Sequence, residues 1–393
     1  MSQENLESKL FNVNNNYTVA SVVICSAVAI LGLLIGPLLI GEYVSVLDIS
    51  SAEAGFILSA EMFGLTLGSL IIITILNKNW QSIVKISLSL MILGNFLSLH
   101  IYEPYIFILC RFVTGFGAGM LMTMTIQVIG LMRFPDKIYA LWTAVQLFLG
   151  ALAMLFFSTV VQYGGLDAIF VIWSVLTASL YVSIKFYPSS REVCLLIDSH
   201  DRAYEKSKKQ WSKKSYQLGI LSLIGLFIYY SGQTGVWVYL ERIGTSWGIS
   251  PEQVTSILFF SLIIGILASV IVMLFGDKFG RTLPITFSMI IAALSIIILM
   301  QESNIYLFTL ATCLFNFAWY FFLPYICSVI STLDNDGRLL TGLSVTFPAA
   351  LAAGPALVAI LIGHGGVLLP CMIFGLFATI LGYFLMLPSS RIK

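Results

Sequence analysis

The sequence predicts an all-α integral membrane protein with twelve membrane-spanning helices in two six-helix halves. Three observations carry that expectation: an apolar composition, a series of apolar runs about twenty residues long, and an ungapped likeness between the halves. The chain has 393 residues, 59% hydrophobic and only 10% charged, with a mean hydropathy of +0.96. A soluble domain carries roughly a quarter charged residues, so this composition belongs to a membrane protein. A net charge of +1 gives no reason to expect a nucleic-acid partner. Six cysteines without CxxC spacing and three distant histidines point to no disulfide framework, metal site or cofactor. The polar N-terminal stretch does not read as a cleaved signal peptide.

A helix crosses a bilayer in about 20 apolar residues. Twelve such runs are expected at 18–40, 53–76, 83–101, 104–130, 138–162, 166–187, 217–240, 252–276, 283–301, 304–331, 339–363 and 365–387. Several contain Pro or Gly, which neighbouring helices accommodate in membranes. Placing both termini in the cytoplasm puts 18 of the 20 Lys and Arg residues on the inner side, leaving Arg242 on an outer loop and Arg111 within a span. The expected home is a bacterial inner membrane. The long polar stretch 188–216 between spans six and seven is a basic cytoplasmic linker. It divides an N-terminal half (1–187) from a C-terminal half (217–393), and its charge suits the anionic inner leaflet.

The halves are related. With a shift of 200 residues, 48–81 lies on 248–281, and Ile49, Ser50, Ile57, Leu58, Leu67, Ser69 and Lys78 recur without a gap. Gly32 likewise falls opposite Gly232. Six helices per repeat give both halves the same orientation, a parallel repeat about the membrane normal.

A charged turn, "DKFGR" at 277–281, separates spans eight and nine. With the six-plus-six architecture, it resembles the major facilitator superfamily, whose signature is G-x-x-x-D-[RK]-x-G-[RK]-[RK]. Asp277, Lys278, Gly280 and Arg281 match, whereas Met273 and Thr282 depart from it. The first-half copy keeps only Lys78, between Asn77 and Trp80. "RFVTGFGAG" at 111–119 is similar to the family's R-x-x-x-G-x-G pattern. Gly354-Pro355 is similar to a signature that drug–proton antiporters of the family carry in span five, where this chain reads "GALAML". The resemblance implies that Asp277 meets the start of span five near Asp136–Tyr139. Arg281 is expected to reach Asp334 or Asp336, the turn acting as a cytoplasmic gate. A plain positive-inside anchor with a tight Gly turn is the alternative.

Ionisable groups inside a span are expensive, so each needs a partner or a role. Glu61 lies about nine residues into span two and Arg111 about seven into span four, or ~13 Å and ~10 Å at the helical rise. Matching depths predict an ion pair or shared polar pocket in the outer half, either structural or functional, through proton binding by Glu61 or capture of an anionic substrate by Arg111. Gln146, Gln233, Trp237, Asn316, Trp319 and Tyr320 fall in spans that line the central cavity of the resembled family. Aromatics with a few amides suit a small organic solute. Glu241 and Arg242 are candidates for an outer gate or ordinary interface residues. "GFGAG" is expected to let helices approach closely.

The function expected is that of a monomeric, proton-coupled secondary transporter moving a small organic solute by alternating access, and not an enzyme. The alternatives are a transporter-derived sensor without flux and an intramembrane enzyme. No phosphate-binding GxxxxGK[ST] loop is present for ATP-driven pumping.

Overall fold

A computed structural model describes residues 14–75, 79–101, 103–130, 132, 135–187, 213–276, 278–301, 304–334, 338–363 and 368–391. Fourteen α-helices and no strand occur among them. Ten helices are long and apolar enough to cross a membrane. Twelve crossings are expected; span one is broken into shorter pieces, and spans five and six are two helices meeting at a kink within one of the ten.

Span one is broken into three pieces: α1 (Asn16–Ala29), α2 (Leu31–Leu34) and α3 (Gly36–Leu47). Ile30 and Ile35 sit at the breaks with ψ near 0°. Pro37 opens α3, at a position where a missing N–H is tolerated. Spans two to four are α4 (Ser51–Ile75), α5 (Trp80–Leu97) and α6 (Pro104–Gly130). Asn79 caps α5 by accepting the N–H groups of Gln81 and Ser82. Spans five and six run together as α7 (Pro135–Ser179), extended by a 3₁₀ turn over Leu180–Phe186. The expected boundary appears as the single non-helical residue Gly165, at φ 62°.

In the second half, α8 (Lys213–Val238) continues after a break at Tyr239 into the short α9 (Leu240–Ser246). Then come α10 (Pro251–Phe275), α11 (Thr282–Leu299), α12 (Ile305–Leu333), α13 (Arg338–Ile362) and α14 (Leu369–Ser390). Ser250 and Gln253 form a reciprocal capping box at the start of α10. The expected linker lies largely in 188–212, outside the described residues.

These helices are apolar outside as well as inside. On α11, Phe287, Ile290, Leu294 and Ile297 are exposed in one stripe, while Ile285, Ser288, Ala292, Ser295 and Ile296 are buried on the other face. On α14, Ile373, Phe377, Ile380 and Phe384 repeat the exposed stripe, and α5 has Ile86, Leu93 and Phe96. Such surface would not stay in water; it is the lipid-facing side of an integral multi-pass membrane protein. The striped helices are spans three, nine and twelve, which with span six are the peripheral ones that the family resemblance implies.

The internal repeat is visible in packing. A Cβ on Gly32 would overlap Trp173 of span six, and one on Gly232 would overlap Ala378 of span twelve. Each half thus packs its first helix against its sixth at equivalent glycines. Between the halves, α4 meets α13 and α7 meets α10, with α3 against α8 and α9.

Candidate functional site

Between the halves, Leu33, Leu34, Trp237, Asn316, Trp319 and Tyr320 line a narrow cavity with room for about one water molecule. It is far smaller than the usual 300–1,000 Å³ of drug-sized ligand sites, so the halves are closed on each other here. Four of the eight residues expected on the pathway therefore meet there, from α8 and α12. Trp237 stacks on Phe315 with ring planes 12° apart. Asn316 donates to Ser261 Oγ at 3.0 Å, which fixes its amide beside the opening. Trp319 stands edge-on to Tyr230, and Tyr320 packs over Gly265 of α10. No charged side chain lines the cavity.

The wall formed by Leu33 and Leu34 goes beyond the expected pathway residues, although "LGLLIGP" carried its signal. Pro37 has no N–H to give the carbonyl of Leu33 four residues earlier. Trp237 Nε1–H donates to that carbonyl at 2.9 Å, tying the halves together at the cavity.

Glu61 and Arg111 do meet, with Arg111 Nη1 3.7 Å from Glu61 Oε2 and both side chains buried. They lie inside the first half, not in the cavity wall. Arg111 Nε donates to Ser98 Oγ at 3.2 Å, and Nη2 donates to Asn95 Oδ1 at 2.7 Å and to Thr114 Oγ1 at 2.8 Å. Its guanidinium also lies 4.4 Å from the Phe170 ring centroid, a cation–π contact. The ion pair is not drawn into a hydrogen bond: Glu61 Oε2 and Arg111 Nη1 have no such partner, nor do Tyr43 Oη and Asn95 Nδ2. Asn95, Ser98, Thr114 and Tyr43 are members of this cluster that the sequence reading did not identify. Asn95 is the one mid-membrane amide in a peripheral span, and that was its signal.

The carboxyl group of Glu61 rests against Gly32, where a Cβ would overlap Oε1. Gly32 belongs to α2, whose next two residues form the cavity wall. One four-residue segment therefore touches both the buried pair and the cavity.

Two expected pathway residues point elsewhere. Gln233 is fully buried and donates to Thr379 Oγ1 of α14 at 2.8 Å. Gln146 Nε2 lies 3.4 Å from Ser26 Oγ on α1, which also accepts from Trp142 Nε1 at 2.6 Å.

The halves are joined at the expected outer end. Ser59 Oγ donates to the Ala352 carbonyl at 2.6 Å, and Tyr239 Oη donates to the Ser51 carbonyl at 3.1 Å. Glu241 is buried against Gly41, whereas Arg242 beside it is half-exposed. In the charged turn, Asp277 lies outside the described residues, so its expected contact with span five does too. Lys278 is exposed on the turn, Gly280 supplies φ 66°, and Arg281 donates to Thr332 Oγ1 on α12. Arg281 thus bonds two residues short of Asp334, while Asp336, the other expected partner, lies outside the described residues. Asp334 itself accepts the N–H of Leu340.

No protein-family model and no curated protein sequence matches the chain. Solved structures do. One, a crystal structure of a D-xylose–proton symporter, superposes with a TM-score of 0.72 at 14% identity, over 96% of this chain and 98% of that one. The xylose transporter XylE from E. coli, in a partially occluded inward-open conformation, gives a TM-score of 0.68 at 12% identity, over 92% and 96%. Near-complete coverage of both chains makes this a likeness of whole architecture. The chain has the fold of major facilitator superfamily transporters.

Proposed function

We propose that the protein is a secondary active transporter that moves a small, uncharged organic solute by alternating access, driven by protons. The carrying observation is the aromatic, uncharged cavity between the halves, which shares α2 with the buried Glu61–Arg111 pair. Tryptophan and tyrosine faces with one fixed amide favour a neutral solute that offers an apolar face and a hydrogen-bonding group. Arg111 is occupied by three neutral oxygens and an aromatic face, away from the cavity, so capture of an anionic solute by it is not part of this reading. The likeness to a D-xylose–proton symporter supports both a small solute and proton coupling.

In this mechanism both termini are cytoplasmic and the single chain is sufficient. The contacts of Trp237, Ser59 and Tyr239 close the outer end, leaving the solute path toward the cytoplasm. Glu61 is the acid that takes up the proton. Its neutralisation leaves Arg111 to its neutral partners and changes what Gly32 packs against. That change is transmitted along α2 to Leu33 and Leu34, biasing the seam at Trp237. A ligand shifts such an equilibrium only by its differential affinity for the two forms, and a proton on Glu61 is one such ligand. The charged turn at 277–281 serves as the inner gate, held in the present form by the bond of Arg281 to Thr332.

The test is uptake into proteoliposomes with an imposed pH gradient, over a panel of uncharged and charged small solutes. Wild type should accumulate an uncharged solute when the outside is acidic. Glu61→Gln should still exchange it but not accumulate it, and Trp319→Ala should lose binding. Movement of charged solutes alone, or accumulation unaffected by Glu61→Gln, would sink the reading.

A further inference from the structure

At the outer end of the seam, a second acidic site stands apart from Glu61. Glu241 lies in the first turn of α9, and Glu42 lies on α3, past residues 240 and 40 where spans seven and one are expected to end. The two come from opposite halves, and α9 packs directly on α3. Glu241 is only 6% exposed. Its carboxyl group sits on Gly41, so closely that a Cβ there would lie 2.7 Å from Oε2 and 2.8 Å from Cδ. Oε2 has no hydrogen-bond partner, and among the described residues no ion pair holds Glu241.

The charged groups around it are few. Glu42 follows Gly41 on α3 and Arg242 follows Glu241 on α9, and both act on its charge. Tyr43 is the other titratable side chain on α3. Of the other helices packed on α9, α10 carries only Glu252, exposed in its first turn, and α12 carries no charged residue. The charges on α8, Lys213 and Lys214, are at its far end. A buried carboxylate is costly unless paired and hydrogen-bonded, and a like charge beside it adds repulsion. Burial pushes the Glu241 carboxyl up to about 7, with Arg242 opposing the rise and Glu42 adding to it.

We propose that Glu241 is a proton-operated latch between the halves, tuned by Glu42: a proton on Glu241 holds the outer seam closed, and its ionisation beside Glu42 opens it. The proposal rests on the transport reading only for which end is outer. It adds a proton site at the mouth of the pathway, distinct from the Glu61–Arg111 pair. The sign follows from the raised value. In the closed seam Glu241 keeps its proton to near pH 7, while in an opened, hydrated seam it ionises near its ordinary 4.5. The closed form therefore binds the extra proton in that window. Closure weakens as pH rises through it, by up to roughly tenfold per unit in the closed-to-open ratio.

The experiment places bio-orthogonal spin labels at Ser45 and Ser246, near the ends of α3 and α9. Distances are read on the full chain in lipid nanodiscs between pH 5 and 9. Wild type should pass from a short to a long distance as pH rises, with the closed fraction falling at least tenfold. Glu241→Gln should stay short throughout, and Glu42→Gln should move the midpoint away from that of wild type by removing the like charge. A distance that ignores pH, or the same titration in both variants, would overturn the latch. Uptake assayed on the same preparations separates the two readings. Solute accumulation with a pH-independent distance removes the latch alone, and a titrating distance without solute movement removes the transport reading alone.

Discussion

Trp237 donates its indole N–H to the backbone carbonyl of Leu33 at 2.9 Å, so the second half grips the first at a break in its opening helix. Trp237→Phe would keep a ring on Phe315 and delete the donor. One hydrogen bond is worth about 0.5–1.5 kcal/mol net. The outer-open population should therefore rise several-fold, read as a longer distance between labels at Ser45 and Ser246. An unchanged distance distribution would show that the bond does not hold the seam.

The buried pair separates structural from functional roles. Arg111→Ala leaves Glu61 uncompensated among apolar groups, which should cost about 3–5 kcal/mol and lower the melting temperature in detergent sharply. Glu61→Gln combined with Arg111→Met removes both charges and should recover most of that loss. If the pair couples protons, the recovered double variant still exchanges solute but does not concentrate it. Full accumulation by the double variant would mark the pair as a packing device.

Gly115 opens the "GFGAG" stretch and permits a close approach between α4 and α6. A Cβ there would overlap the backbone carbonyl of Glu61. Since backbone cannot step aside as a side chain can, Gly115→Ala should force the helices apart at a cost of about 1–3 kcal/mol. A lowered melting temperature is expected, together with weaker solute binding, because the shift displaces Glu61 from Gly32. A variant that melts like wild type would mean that the two helices slide without loss.

The charged turn makes a narrower prediction. Gly280 sits at φ 66°, and a Cβ placed on it would meet nothing within 4 Å, so its requirement is conformational and not spatial. Gly280→Ala should cost about 1–2 kcal/mol, and Gly280→Asn less, since Asn tolerates the left-handed region. Equal thermal stability of the two variants would show that the turn relaxes.

Much of this arrangement was legible in the sequence. The matched depths of Glu61 and Arg111 located the pair because helical rise is fixed, and the glycines of "GFGAG" located a close contact. Gln233 is expected to face the cavity together with Trp237, and it faces Thr379 instead. Residues 229–241 are buried on every side, so no polar face remains from which a direction can be read. The boundary between spans five and six was legible as well. Gly165 takes one sharply non-helical step between two helices, where the apolar pattern divides. The division of span one had its letters in place at Gly32, Gly36 and Pro37, but which carbonyls it would release depends on the partner half.

The three bonds across the seam among the described residues share one property. Leu33, Ala352 and Ser51 all accept through main-chain carbonyls, and Trp237, Ser59 and Tyr239 all donate from side chains. A carbonyl survives almost any substitution at its own position, whereas each donor is lost with a single one. Sequence drift on the accepting side therefore leaves the seam's polar contacts intact, and its strength can be tuned one step at a time from three positions.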